Sequence, residues 1–389
     1  WPQWRGLHRD GRSPETQLLK QWPAEGPPLL WQTEGVGEGH ASLAVSGDRI
    51  FTTGMREDTS EGVLSALELD GAILWQTPYG LEWNGTHPGA RSCPTVDEGR
   101  LYILSGMARL LCCRVDTGEI VWFLDLQKQF GGTPPRMGFA ESLLVVDNKV
   151  ICTPGGERAT LAALDKITGE ILWSTQGLSD IAAYCSPILV SRGDLRLVVT
   201  ITERHLAGID VDSGEVVWKA PFDTEAVDPN HSVSPVYDNG RIYITSGHRE
   251  GGAMFTLAED GRSVQPGWTD SILNTLHGGL VVVDDHIYGA NVTGRWICLD
   301  FKTGALQYED RGVGMGSIIA AEGLLYCYGE KGTLALVKAT PSAHEIISSF
   351  KVPGGKGPYW AHPVISGRRL YIRHGGTIFA YNIAASGIG

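Results

Sequence analysis

A short apolar strand ending in an aromatic ring recurs eight times along this chain. The copies are Leu29-Leu30-Trp31, Ile73-Leu74-Trp75, Ile120-Val121-Trp122, Ile171-Leu172-Trp173 and Val216-Val217-Trp218, then Trp268, with Tyr308 and Phe350 in the degenerate copies. Subtracting these positions gives gaps of 44, 47, 51, 45, 50, 40 and 42 residues. A period of about 40–50 residues built from short strands predicts the blades of a propeller rather than a string of separate domains.

Each copy reads as four strands with turn chemistry between them. Residues 92–96 run into a turn at Asp97-Glu98-Gly99, then Arg100 to Leu104, then Leu110 to Cys113, a turn at Thr117-Gly118, and Ile120 to Trp122. Alternating apolar positions rich in β-branched residues favour strands over helices. The expected class is all-β: one eight-bladed propeller of four-stranded antiparallel blades over 1–389. The blades fall at about 38–75, 89–122, 137–173, 182–218, 230–268, 275–308, 313–350 and 358–384. The last copy stops after its third strand, whereas Pro28 to Trp31 precedes any copy of its own. Residues 1–31 are therefore expected to form an arm and the strand that completes the last blade, leaving no free edge.

Acidic residues outnumber basic ones 44 to 32, for a net charge of −12. That balance opposes nucleic acid, whose binding needs a clustered basic footprint. No run of about 18 apolar residues exists, so no helical membrane span is expected. The seven cysteines show no C-x-x-C spacing and fall mostly in strands, where a free thiol acts as a small buried hydrophobe. The chain opens at Trp1 without Met, which fits a processed, exported protein as it fits a trimmed one.

The third turn has its own signature. Asp165 to Trp173 reads Asp-x-x-Thr-Gly-Glu-x-x-Trp, and Asp210 to Trp218 repeats it with Ser213 for Thr. Asp and Thr bond their own backbone, and Gly supplies the left-handed position. The closing Trp is expected to pack between neighbouring blades. This signature resembles the tryptophan docking motif of eight-bladed quinoprotein-type propellers, the PQQ-like superfamily. Trp1-Pro2-Gln3-Trp4-Arg5-Gly6 resembles the mature start of its exported bacterial members. The likeness covers the whole chain. It implies the fold, and a periplasmic or secreted location with the signal peptide removed. The quinone-dependent dehydrogenases of that superfamily hold pyrroloquinoline quinone (PQQ) and calcium under a vicinal disulfide. The only Cys-Cys here, Cys112-Cys113, sits inside a third strand, and no calcium ligand set is recognisable. No resident cofactor is expected from the residues, and quinone with calcium only through the resemblance. The superfamily also holds the outer-membrane assembly lipoprotein, whose mature chain starts at a lipidated Cys where this sequence has Trp1; a protein partner is left open.

The Ser-Pro step that opens the first strand sets a common register. The residue three before that Pro, or its stand-in, is His40, Arg91, Glu141, Tyr184, Ser232, His277, Met315 and Trp360 in successive copies. First strands are innermost in a propeller, so these eight side chains are expected around one mouth of the channel. Scaffold positions repeat from copy to copy, whereas this one holds imidazoles, a guanidinium, a carboxylate, a phenol and an indole. Such diversity suits an asymmetric ligand.

Loops expected on the same face add Trp83, His87, Arg136, His231, Tyr359 and His362. Those between second and third strands add Arg56, Arg109, Glu157, Arg158, Arg204, His205, His248, Arg249, Asn291, Arg295, Lys331 and His374. The result is a basic, His-rich, aromatic mouth on an acidic protein, suited to a polar or anionic small molecule or a glycan. Three uses compete. The leading one is binding without chemistry. The second is acid/base catalysis, as in a carbohydrate-active enzyme, with His40 or His277 as base, Arg91 on a carboxylate or oxyanion, and Glu141 or Tyr184 as the second group. The third is a metal site, for which His40, Glu141 and His277 sit on blades expected to be too far apart, so no metal is assigned. A divergent quinone-dependent oxidoreductase is a further alternative, through the resemblance. No Gly-x-Ser-x-Gly and no phosphate-binding Gly-Lys loop appears.

Overall fold

The computed structural model describes residues 1–224, 230–247 and 251–385. Asp228, Pro229, His248 and Arg249 lie outside the described residues. Eight antiparallel sheets form the ring. Blade 1 runs through Ala44–Ser46, Arg49–Met55, Glu61–Glu68 and Ile73–Leu81, with strands adjacent in chain order. Blades 2 to 7 repeat that meander, with first strands at Thr95–Asp97, Leu144–Val146, Ile188–Arg192, Val236–Asp238, Val281–Val283 and Gly316–Ala321. Blade 8 takes Val364–Ser366, Arg369–His374 and Thr377–Asn382, and its outer strand is Leu29–Glu34 from the N-terminus. The ring is thus closed by strand exchange between the chain's two ends, as the truncated last copy predicts.

The repeated aromatic sits just after a break in strand pairing. In blade 2 the register shifts between Ile120 and Trp122, and in blade 8 between Leu29 and Trp31. A bulge of this kind redirects the side chain, and each indole lies on the turn of the next blade. Trp31 Nε1 donates to Leu69 O (2.9 Å), Trp173 to Val211 O (2.9 Å) and Trp218 to Gly261 O (3.1 Å). The turn glycine is required twice over. At Gly169, φ is +77°, and a Cβ would stand 2.7 Å from the Trp122 ring. In the same turns Asp165 Oδ1 accepts from the Ile167 and Thr168 amides, both at 2.9 Å.

The largest departure from the sequence reading is the arm. Residues 1–13 do more than lead into the closing strand: they fill the channel at the far end of the innermost strands and touch every blade. Trp1 O accepts from Val45 N of blade 1, and Pro2 O from Val96 N of blade 2, both at 2.8 Å. Arg9 donates to Ser142 O and Leu143 O of blade 3 and to Pro187 O of blade 4. Trp4 Nε1 donates to Ser234 Oγ of blade 5 (3.3 Å). Arg5 reaches Leu280 O of blade 6, Ile318 O of blade 7 and His362 Nδ1 of blade 8. Arg12–Ser13 then adds a fifth, parallel strand to blade 7 against Ala320–Ala321. Both arginines are 3% exposed, and burial lowers each guanidinium pKa to about 10. Their cost of desolvation is met by carbonyl acceptors, the usual condition for a buried cation.

Candidate functional site

At the other end of the innermost strands lies a cavity of about 310 Å3. Strand pairing fixes which residues meet there. Ala44, Thr95, Ile188, Val236, Val281 and Val364 open equivalent strands. The residues four before them are His40, Arg91, Tyr184, Ser232, His277 and Trp360, and all six line the cavity.

Blade 3 departs from the expected register. Its first strand opens at Leu144, so the equivalent residue is Ala140, and Ala140 lines the cavity in place of Glu141. Blade 3 has no proline at this step: Leu143, not Leu144, stands where Pro187 stands in blade 4. One residue of slip turns a side chain to the other face. Glu141 is buried between strands, accepting from Thr153 N (2.9 Å) and Thr153 Oγ1 (3.1 Å). Burial pushes its pKa up to about 7, against hydrogen bonds from Thr153 and the charge of Arg9. Met315 keeps the register but is not among the lining residues.

Trp360 organises the wall. Its ring centroid is 4.8 Å from that of His40, 4.7 Å from His87 and 4.9 Å from His277. Its Nε1 donates to Glu330 Oε1 at 2.6 Å, and His277 Nε2 lies 3.0 Å from the same oxygen. Burial works against ionisation of Glu330, yet His277 and the indole N–H together bring its pKa below the ordinary value.

His40 is held uncharged. Burial and then the charge of Arg91 lower its pKa to about 3, and neither ring nitrogen has a partner among the described residues. Buried polar atoms are rarely left so. His362 is also neutral, at about 3 through burial and Arg5. Arg5 can only donate to its Nδ1 (3.2 Å), and the His277 carbonyl can only accept from its Nε2 (3.0 Å), which fixes the tautomer.

Arg91 is the one permanently charged side chain on the lining, among the described residues. It donates to the carbonyls of Gly89, Thr86 and His87 (3.4, 3.2 and 2.6 Å), so it also holds the 86–89 loop that brings His87 to the cavity. Tyr184 also lines the cavity and accepts from Met137 N (3.2 Å).

Five expected contact residues lie elsewhere. Trp83 folds onto its own loop, Nε1 donating to Thr86 O (3.0 Å). Arg136 is exposed on the 131–138 loop and does not reach the lining. His231 is buried between Phe222 and Glu203 O, the neighbours Asn230 and Ser232 taking its place. Tyr359 stacks on His374 at 3.5 Å. Arg295 Nε lies 3.6 Å from Glu309. Among the described residues, the remaining second-to-third-strand loop positions lie off the lining too; Arg56 pairs with Glu61 and His205 with Asp180. Sequence reasoning missed Trp4, which lines the cavity from the arm, and Glu330, next to the Lys331 that was singled out.

The donor set does not suit a calcium-bound quinone. Cys112 and Cys113 face opposite sides of blade 2, one in the core shared with blade 3 and the other in the core shared with blade 1. Among the described residues no three His, Cys, Asp or Glu side chains group as metal ligands.

The fold is that of a closed eight-bladed propeller of the PQQ type. Residues 60–309 match the family model described as outer membrane protein assembly factor BamB, and the chain belongs to that family. The BamB of Yersinia pestis is 26% identical over 62% of this chain and 57% of its own length, so the match spans little more than half of that relative. Among solved structures, BamB from Moraxella catarrhalis superposes with a TM-score of 0.69 at 15% identity, covering 92% of this chain and 99% of that one. The quinohemoprotein alcohol dehydrogenase of Comamonas testosteroni gives 0.72 at 13% identity, covering 100% and 81%. At such identities the structural likeness speaks for the fold alone.

Proposed function

We propose that this protein is an exported propeller that binds a polar or anionic small molecule, such as a sugar acid or a glycan end, in its central funnel. The observation that carries this is the pairing of Arg91 with the unsatisfied imidazole of His40 in an aromatic cavity whose lining, among the described residues, includes no carboxylate. On a protein of net charge −12, that is a local inversion of sign, and a guanidinium in such a site favours an acid over its neutral analogue. Trp360 and Tyr184 offer ring faces and Ser232 a hydroxyl. Calorimetric titration with D-glucuronate and D-glucose tests it. The acid is expected to bind at least tenfold more tightly; no heat from either at millimolar concentration overturns the reading.

The His277–Glu330 contact supports a second reading, acid/base chemistry on the same ligand. Product analysis after long incubation separates the two, since a binder returns its ligand unaltered. The assembly-factor relatives add a polypeptide partner as a further candidate, and the exposed Leu29, Leu30, Ile73, Leu74 and Phe123 of the outer strands would suit one.

A further inference from the structure

The arm that fills the channel also supplies a wall of the pocket. Trp4 lines the cavity, although it belongs to no blade. Its indole N–H is satisfied by Ser234 Oγ, and its ring lies 4.5 Å from that of His362. The next residue, Arg5, is bonded to His362, which in turn donates to the His277 carbonyl. Arm and pocket are therefore joined by one chain of contacts.

The blades make room for this arrangement. Two residues before the strand start, blades 1, 3, 4 and 5 carry Ser42, Ser142, Ser186 and Ser234. Three of those hydroxyls accept from the preceding blade's backbone: Ser142 from Cys93 N, Ser186 from Ser142 N and Ser234 from Ser186 N. At the same position blades 6 and 8 carry Gly279 and His362. A Cβ on Gly279 would collide with the Arg5 guanidinium. Blade 2 carries Cys93 there, and at blades 6 and 8 the serine gives way where the arm needs space and a partner.

We propose that Trp4 is the floor on which a ring-bearing acid rests in the funnel, and that the docked arm closes the channel behind it so that the site is entered from the mouth alone. The ligand half of this rests on the funnel reading; the closure does not. A ring on the indole with its acidic group toward Arg91 uses the cavity's aromatic face and the permanent charge of that guanidinium together.

The test uses the full chain with Trp4→Cys. All seven native thiols are buried, so the new one reports alone. Its labelling by anionic sulfonatoethyl methanethiosulfonate is expected to fall at least tenfold when Ala140→Trp fills the cavity. Labelling that is as fast in the filled variant overturns the closure. Trypsin checks the closure without any substitution: the bonds after Arg5 and Arg9 should stay intact in the native chain, and rapid cleavage there refutes it. For the floor, Trp4→Ala is expected to weaken D-glucuronate at least tenfold and Trp4→Phe to bind near the native level. Full affinity in Trp4→Ala overturns the role of Trp4 and leaves the funnel reading standing. No binding to the native chain removes the funnel reading and the floor with it, while the labelling and trypsin results still decide the closure.

Discussion

Replacing Arg5 by Ala removes the cation that ties the arm to blades 6, 7 and 8. The carbonyls of Leu280 and Ile318 lose a donor inside the ring, and His362 loses the partner that sets its tautomer. A hydrogen bond to a charged donor contributes about 1.5–3 kcal/mol. Burial already works against the cation, lowering its pKa to about 10, and this trims the net loss to about 3 kcal/mol. For 389 residues, about 2.1 cal/mol/K per residue gives an unfolding entropy of about 0.8 kcal/mol/K. The melting temperature should therefore fall by about 4 °C in differential scanning calorimetry. Arg56→Ala is the control: its pair with Glu61 is 2.8 Å long but largely exposed, and such pairs contribute roughly 0–1 kcal/mol. That variant should melt within about 1 °C of the native protein. If the two variants melt alike, the arm is not the anchor described.

Two further outcomes follow from the same structure. Burial lowers the His231 pKa to about 4 from an ordinary 6.5, so its contribution to stability is full above pH 6.5 and is lost as the pH falls toward 4. Between pH 7 and pH 5 that loss is about 2 kcal/mol, and His231→Gln should destabilise by that much less over the interval, as read from urea melts; an identical pH slope in both chains refutes the assignment. Gly169→Ala should cost about 2–3 kcal/mol, since it meets both a left-handed φ and the Trp122 ring. Gly99→Ala, with φ +78° and nothing within 4 Å, should cost only about 1 kcal/mol. Equal losses in thermal denaturation would show that the indole contact contributes nothing.

What the sequence disclosed, and what it hid, has a physical pattern. Blade number, ring closure and six of the eight channel positions were legible because each repeats, and a repeat supplies its own comparison. Glu141 was misplaced because blade 3 lacks the proline that marks the step, and period-2 geometry turns an error of one residue into the wrong face. An arm was legible, but its docking inside the channel was not. Trp4, Arg5 and Arg9 have no counterpart in any blade, and they are tied to the ring by contacts far away in the chain, such as Arg9 to Ser142 and Arg5 to His362, separated by 133 and 357 positions. Glu330 was hidden for a similar reason: one loop carboxylate among many becomes notable only when Trp360 and His277 converge on it.

Soaking crystals of the native protein in D-glucuronate and determining the bound structure tests the central claim most directly. The account expects the sugar ring within the 310 Å3 cavity, between Trp4 and Trp360, with its carboxylate in hydrogen-bond reach of Arg91. A ligand seated on the outer strands, or an empty funnel at a concentration that saturates the calorimetric signal, would contradict it.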